Sequence, residues 1–98
     1  MEGYYYVYIA TNTRHTVLYT GATNNIFKRT WQHKDKIHKN SFTAKYNIEK
    51  IVFYEVFTNS IDAIAREKQI KGGSRSKKLK LIEDLNPCWH DLIEESLK

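Results

Sequence analysis

One stretch near the start of the chain limits its fold more than any other: Tyr4-Tyr5-Tyr6-Val7-Tyr8-Ile9-Ala10. Aromatic and β-branched side chains pack well on a pleated surface, so this run predicts a strand. Polar Thr11 to Thr16, with Asn12 among them, predicts a hairpin loop. Val17-Leu18-Tyr19-Thr20 then returns as a second strand, with Gly21 expected to stop it. Lys50-Ile51-Val52-Phe53-Tyr54-Glu55-Val56-Phe57 reads as a third strand. It is apolar nearly throughout, which predicts a central place in the sheet.

The remaining chain carries helix signals. Thr23 or Asn24 suits the N-cap of a helix running to about Lys34, and Ser41 to Asn47 suits a short one. Ser60 suits the cap of a helix from Ile61 to Lys71, which Gly72-Gly73 would end. Ser74 or Ser76 would start another over about Lys77 to Leu85. Asn86 suits an N-cap and Pro87 the first helical position of a last helix, about Trp89 to Leu97. The expected fold class is α+β: a three-stranded, mainly antiparallel sheet flanked by helices. Residues 1–98 form one domain with its core over about 4–92, since 98 residues suffice for one small domain.

Composition narrows the function classes. Hydrophobic residues make up 41% and charged residues 28%, which excludes collagen-like, mucin-like and disordered chains. No apolar run approaches the roughly 20 residues of a membrane span, so no membrane association is expected. Met1-Glu2-Gly3 does not open a secretory signal. The one cysteine, Cys88, cannot close an intrachain disulfide and is expected to pack. These features point to a cytoplasmic protein whose stability rests on packing.

The net charge of +5 is unevenly spread: residues 1–80 carry +9 and residues 81–98 carry −4. Basic residues gather between Lys28 and Lys39 and between Lys68 and Lys80. Such a basic body suits a polyanion, most often nucleic acid, although it also serves simply as a solvated surface. Lys28, Lys34, Lys36, Lys39, Lys77, Lys78 and Lys80 are the candidate phosphate contacts. His15, His33, His38, His90 and Cys88 lack the spacing of a zinc site. Gly72-Gly73 lacks the spacing of a nucleotide-binding loop.

Six polar residues form a possible reactive set. Tyr8 and Tyr19 lie eleven residues apart on the two hairpin strands. Arg29 and His33 are four apart and share a helix face. Glu67 falls beside Ile64 and Ile70 at the edge of an apolar stripe, and Asn86 at a helix entrance. Singly, each has an ordinary explanation: strand tyrosines that pack, a solvated Arg–His face, a surface partner for Lys71, Arg66 or Lys68, and a helix cap.

Together the set resembles the GIY-YIG nuclease superfamily. Tyr6-Val7-Tyr8 and Tyr19-Thr20-Gly21 resemble its paired tripeptides, and Arg29, His33, Glu67 and Asn86 follow in matching order. The stretches Leu18 to Asn25, Ala65 to Gly72 and Asn86 to Trp89 resemble its small stand-alone bacterial subfamily. Tyr6, Val7 and Thr20 depart from the Gly, Ile and Ile of the pattern, all at scaffold positions, and His33 stands where many relatives carry tyrosine.

The resemblance implies metal-dependent hydrolysis of DNA phosphodiesters, with selectivity for branched, nicked or single-stranded forms as an option. Glu67 would hold one Mg²⁺ or Mn²⁺ that keeps most of its waters. Arg29 would clamp the phosphate. Tyr8 or His33 would take the proton from water, with Tyr19 orienting and Asn86 positioning. RNA stays open as a substrate, as does a protein partner that supplies specificity. Two rival readings remain: a nucleic-acid-binding module without catalysis, and a protein-interaction domain docking through its acidic last helix.

Overall fold

The computed structural model describes residues 3–26, 48 and 50–93. They form β1 (Tyr5–Thr11), β2 (Leu18–Thr23), β3 (Lys50–Phe57), α1 (Ser60–Lys71) and α2 (Arg75–Leu85). The three strands make one antiparallel sheet in the order β2-β1-β3. The expected α+β architecture is therefore present. The helices proposed for Thr23 to Lys34 and Ser41 to Asn47 fall almost wholly outside the described residues.

The order of the sheet corrects one expectation. The central strand is β1, whereas β3 lies at an edge. Strand β3 is nonetheless apolar because both of its faces are covered. Val52 and Phe53 join Val7, Ile9, Ala63, Ile70 and Ile82 in a core on the helical side. Ile51 joins Tyr8, Ala10, Ile26, Ile48 and Ile93 on the other side. A continuous apolar run thus reports two-sided burial, not a central position.

Strict alternation would send Val52 and Phe53 to opposite faces. A register shift prevents this: Ile9 pairs with Phe53 while Ala10 pairs with Ile51, leaving Val52 as an extra residue on β3. Such a bulge takes backbone groups out of the ladder. Asn86, only 5% exposed, supplies a partner. Its Nδ2 donates to the Val52 carbonyl at 3.1 Å and to the His90 carbonyl at 2.8 Å. Its Oδ1 accepts from the His90 amide at 3.1 Å. One side chain thereby ties the bulge to the loop after α2.

That arrangement also corrects the helix expected after Asn86. Asn86 is the C-cap of α2, with its amide bonded to the Ile82 carbonyl, and Pro87 and Cys88 form a turn. Trp89 adopts φ 57°, in the left-handed region, which a helix starting there cannot accommodate. Helical backbone resumes at Leu92 and Ile93. Cys88 is exposed on the turn and does not pack.

The helix starts follow side-chain capping, displaced by a residue or two from their expected places. Asn59, not Ser60, caps α1: its Oδ1 accepts from the Asp62 amide at 2.8 Å. Ser74 caps α2 by accepting from the Lys77 amide at 3.1 Å. Arg66 clamps α1 to β3 with a two-pronged contact to Glu55 at 2.8 and 3.2 Å. This bond holds the guanidinium pKa above its ordinary value, against a smaller opposing effect of burial.

The hairpin loop is organised by Asn12. Its Oδ1 accepts from the Thr16 and Val17 amides at 2.9 and 3.1 Å, and its Nδ2 donates to Thr16 Oγ1 at 2.7 Å. At the loop tip His15 also adopts a left-handed conformation, φ 59°. Its ring stacks on Trp89 with centroids 4.4 Å apart, and Lys50 Nζ lies 3.1 Å from its Nε2. Arg75 donates to the His15 carbonyl at 3.2 Å. The hairpin tip is thus docked on β3, the start of α2 and the loop that Asn86 holds.

Two tests address these braces. Asn86→Ala leaves a buried Val52 carbonyl without its partner, and should lower stability by about 2–3 kcal/mol in urea denaturation. The His15 pKa is lowered from 6.5, first by burial and then by the Lys50 charge. Its folded-state contribution is therefore complete above the unfolded value and is lost as pH falls through the lower folded value. The melting temperature should fall between pH 7.5 and pH 5, and His15→Asn should flatten that dependence. An unchanged slope in the variant would mean that the imidazole plays no part in it.

Candidate active site

The pairing of β1 with β2 sets Tyr8 opposite Gly21 and Ala10 opposite Tyr19. Alternation puts Tyr8 and Tyr19 on one face as diagonal neighbours. Their ring centroids lie 6.2 Å apart with the planes at 42°. Tyr8 is 1% exposed, whereas Tyr19 is half-buried. Gly21 does not stop β2, which continues to Thr23. The residue is needed because the Tyr8 phenol lies over it. A Cβ at position 21 would stand 2.6 Å from Tyr8 Oη and 2.7 Å from Cζ.

Glu67 reaches the same strand from the helical side. It lies four residues after Ala63 and three before Ile70, the two buried residues of α1. It therefore belongs to the sheet-facing stripe of that helix. Ile64, expected as its apolar neighbour on that stripe, is 46% exposed. Ala63 and Ile64 border one cavity with Ala22, and Lys71 borders another with Thr20. Glu67, one turn from each end, lies along β2 between them. Its side chain is 19% exposed, and Oε2 accepts from Lys71 Nζ at 3.1 Å. The surface pairing with Lys71 read from the sequence is present, while Arg66 pairs with Glu55 instead.

The tyrosines and Glu67 thus occupy opposite faces of β2. Among the described strands β2 is an edge strand. A cleft of about 340 Å³ lies there, lined by Leu18, Tyr19, Thr20, Lys71 and Lys78. Tyr19 shares this cleft with Lys71, whose ammonium holds the Glu67 carboxylate. Two lysines thus border the cleft, and one of them carries the Glu67 carboxylate as its ion-pair partner.

Asn86 is not part of this group. It serves the Val52 bulge on β3, at the sheet edge opposite β2. Arg29 and His33 lie outside the described residues, as do Lys28, Lys34, Lys36 and Lys39. Lys77, Lys78 and Lys80 of α2 border a groove of about 420 Å³ between the helices, with Arg66 and Asp84. Lys78 Nζ donates to the Gly73 and Lys71 carbonyls at 2.8 and 3.4 Å, capping the end of α1. Lys80 lies 3.5 Å from Asp84 in an exposed pair.

No cluster of three or more His, Cys, Asp and Glu side chains occurs among the described residues. A divalent ion at this site would have Glu67 as its protein carboxylate. That donor set fits Mg²⁺, which retains several waters and needs only one or two carboxylates.

A small α+β domain with paired strand tyrosines and a partly buried carboxylate on α1 is the architecture to compare with known proteins. The model of the GIY-YIG catalytic domain matches residues 4–80, and the chain belongs to that family. Its relatives include a UPF0213 protein of Clostridium perfringens, 42% identical over 79% of this chain and 81% of that one. A UPF0213 protein of Oceanobacillus iheyensis is 36% identical over 85% of this chain and 94% of that one. The solution NMR structure of a UPF0213 protein from Bacillus halodurans superposes with a TM-score of 0.57 at 24% identity. It covers 91% of this chain and 93% of its own, which establishes the shared fold. GIY-YIG nucleases generally use a divalent metal ion and act on nucleic acid. No described helix is long and apolar enough to cross a membrane.

The seat under Tyr8 yields a test of the site's construction. Gly21→Ala must displace the Tyr8 ring, and should cost about 1–3 kcal/mol of stability while changing the tyrosine near-ultraviolet signal. Wild-type stability together with an unchanged signal would show that the ring does not rest on Gly21.

Proposed function

We propose that the protein is a metal-dependent endonuclease that hydrolyses phosphodiester bonds in DNA, acting in the cytoplasm. The observation that carries the reading is the β2 edge, where the Tyr8–Tyr19 pair and the Glu67 carboxylate flank one strand beside a lysine-lined cleft. The family membership and the basic body of the chain support the same reading. The reading includes a structure-selective preference for branched, nicked or single-stranded DNA. Any finer specificity would come from a protein partner.

Glu67 would hold one Mg²⁺ or Mn²⁺, which when bound supplies Lewis-acid stabilisation of the leaving 3′ oxygen. The other roles belong to side chains. Arg29 binds the phosphoryl oxygens as negative charge builds, through its permanently charged planar fork. Tyr8 or His33 takes the proton from the attacking water. Histidine is suited to that task at neutral pH, and tyrosine needs a nearby positive charge to become so. Tyr19, at the mouth of the cleft, orients the water or Tyr8 through its hydroxyl. Asn86 acts at a distance, by fixing the β3 bulge opposite Ile9 and Ala10, the residues that follow Tyr8 on β1. Lys77 and Lys80, with the lysines between positions 28 and 39, supply phosphate contacts beyond the scissile bond.

The decisive assay compares wild type with Glu67→Gln and Arg29→Ala on duplex, single-stranded and branched DNA, with Mg²⁺ or Mn²⁺. Each variant should lose cleavage by a factor on the order of 10²–10³ while keeping the wild-type melting temperature within a few degrees. Equal cutting by wild type and both variants rejects the mechanism. Metal-independent binding without cutting, weakening steeply with salt, moves the assignment to a nucleic-acid-binding module.

A further inference from the structure

Thr20 stands where the second tripeptide of the family pattern has an apolar residue, and its hydroxyl is not idle packing. The residue is 4% exposed, and its Oγ1 is buried with no hydrogen-bond partner. A buried hydroxyl without a partner is unfavourable, and such groups in native proteins call for an explanation. Thr20 pairs with Ile9, which belongs to the helix-side core, so its side chain faces the helices. On that side the same cleft is walled by Lys71 and Lys78. The Lys71 ammonium uses one proton on Glu67, and the Lys78 ammonium makes two contacts to backbone carbonyls. Each ammonium has three protons to donate, so both retain donor capacity.

We infer that Thr20, Lys71 and Lys78 form an anion subsite that holds one phosphate of the nucleic-acid strand beside Glu67. The occupant is a phosphodiester oxygen. It accepts from the Thr20 hydroxyl and from Lys71, while Lys78, fixed by the end of α1, contributes a stationary positive charge. Lys71 is the movable wall: its side chain is 56% exposed, and it swings from Glu67 toward the phosphate. Swinging away exposes the Thr20 hydroxyl and leaves Glu67 free of its lysine counterion. The subsite builds on the proposed nucleic-acid substrate but does not require that the strand be cut.

The test measures binding of a fluorescent oligothymidylate to wild type, Thr20→Val, Thr20→Ser and Lys71→Met in EDTA, where no cutting occurs, across a salt series. Thr20→Val should weaken binding about five- to tenfold without lowering the melting temperature, since it removes an unsatisfied hydroxyl. Thr20→Ser should bind like wild type. Lys71→Met should reduce the salt slope by about one counterion. Wild-type affinity in Thr20→Val, or no salt-sensitive binding by wild type, overturns the subsite. A melting temperature that falls in Thr20→Val also overturns it, because the hydroxyl then has a structural partner. Cleavage lost in Glu67→Gln alongside unchanged binding in Thr20→Val would retain the nuclease and reject the subsite. Weakened binding in Thr20→Val with a wild type that never cuts would do the reverse.

Discussion

The register that sets Tyr8 against Gly21 governs the rest of the molecule. It makes β1 an interior strand whose Val7 and Ile9 face the helices while Tyr8 and Ala10 face away. A slip of one residue would exchange those faces along the whole strand and put the Tyr8 phenol into the helical core. The missing side chain of Gly21 removes that freedom, because no other residue in β2 leaves room for the ring. The same register aims Tyr19 to the tyrosine face and Thr20 to the helical face. The chemistry of the β2 edge is thus a consequence of strand pairing.

A three-stranded sheet has little area, so its edges need separate support. On the β3 side that support is polar: a bulge at Val52, a buried Asn86, and the Arg66–Glu55 clamp. Asn86 satisfies groups on two segments at once, which makes it a hinge point for the C-terminal loop and, through Trp89 and His15, for the hairpin tip. Two left-handed residues, His15 and Trp89, face each other there. His15 is held there by the stacking, Lys50 and Arg75, and Trp89 by the stacking and its amide bond to the Asn86 carbonyl. On the β2 side, which is an edge among the described strands, Lys71, Lys78 and Glu67 lie on the helices beside it.

Glu67 has a clear physical setting. Glu67 sits on the sheet-facing stripe of α1, where an apolar residue would pack, and is kept at the interface by a lysine one turn on. A carboxylate in that place is poorly explained by stability alone, since an exposed-side pair of this kind contributes only a few tenths of a kcal/mol. Under the proposed function its placement is that of a cation ligand.

Local pattern determined a good deal by itself. The strands were legible because aromatic and β-branched runs pack on pleated surfaces, and β3 was bounded correctly at Lys50 and Phe57. The two helices were legible from Asn, Ser and Gly signals, to within a residue or two. The ordered tyrosines, Glu67 and Asn86 pointed to the family. Tertiary structure decided what no local signal carries. Strand order placed β1 in the centre, because pairing is chosen by partners distant in sequence. Gly21 became a seat and not a stop, because Tyr8 needs the space. Asn86 became a brace for β3 and not a helix start, because a bulge elsewhere exposed a carbonyl to it. Thr20 and Lys71 share one cleft, with Glu67 bonded to that lysine, only because α1 packs along β2, a contact set by tertiary packing rather than by any motif.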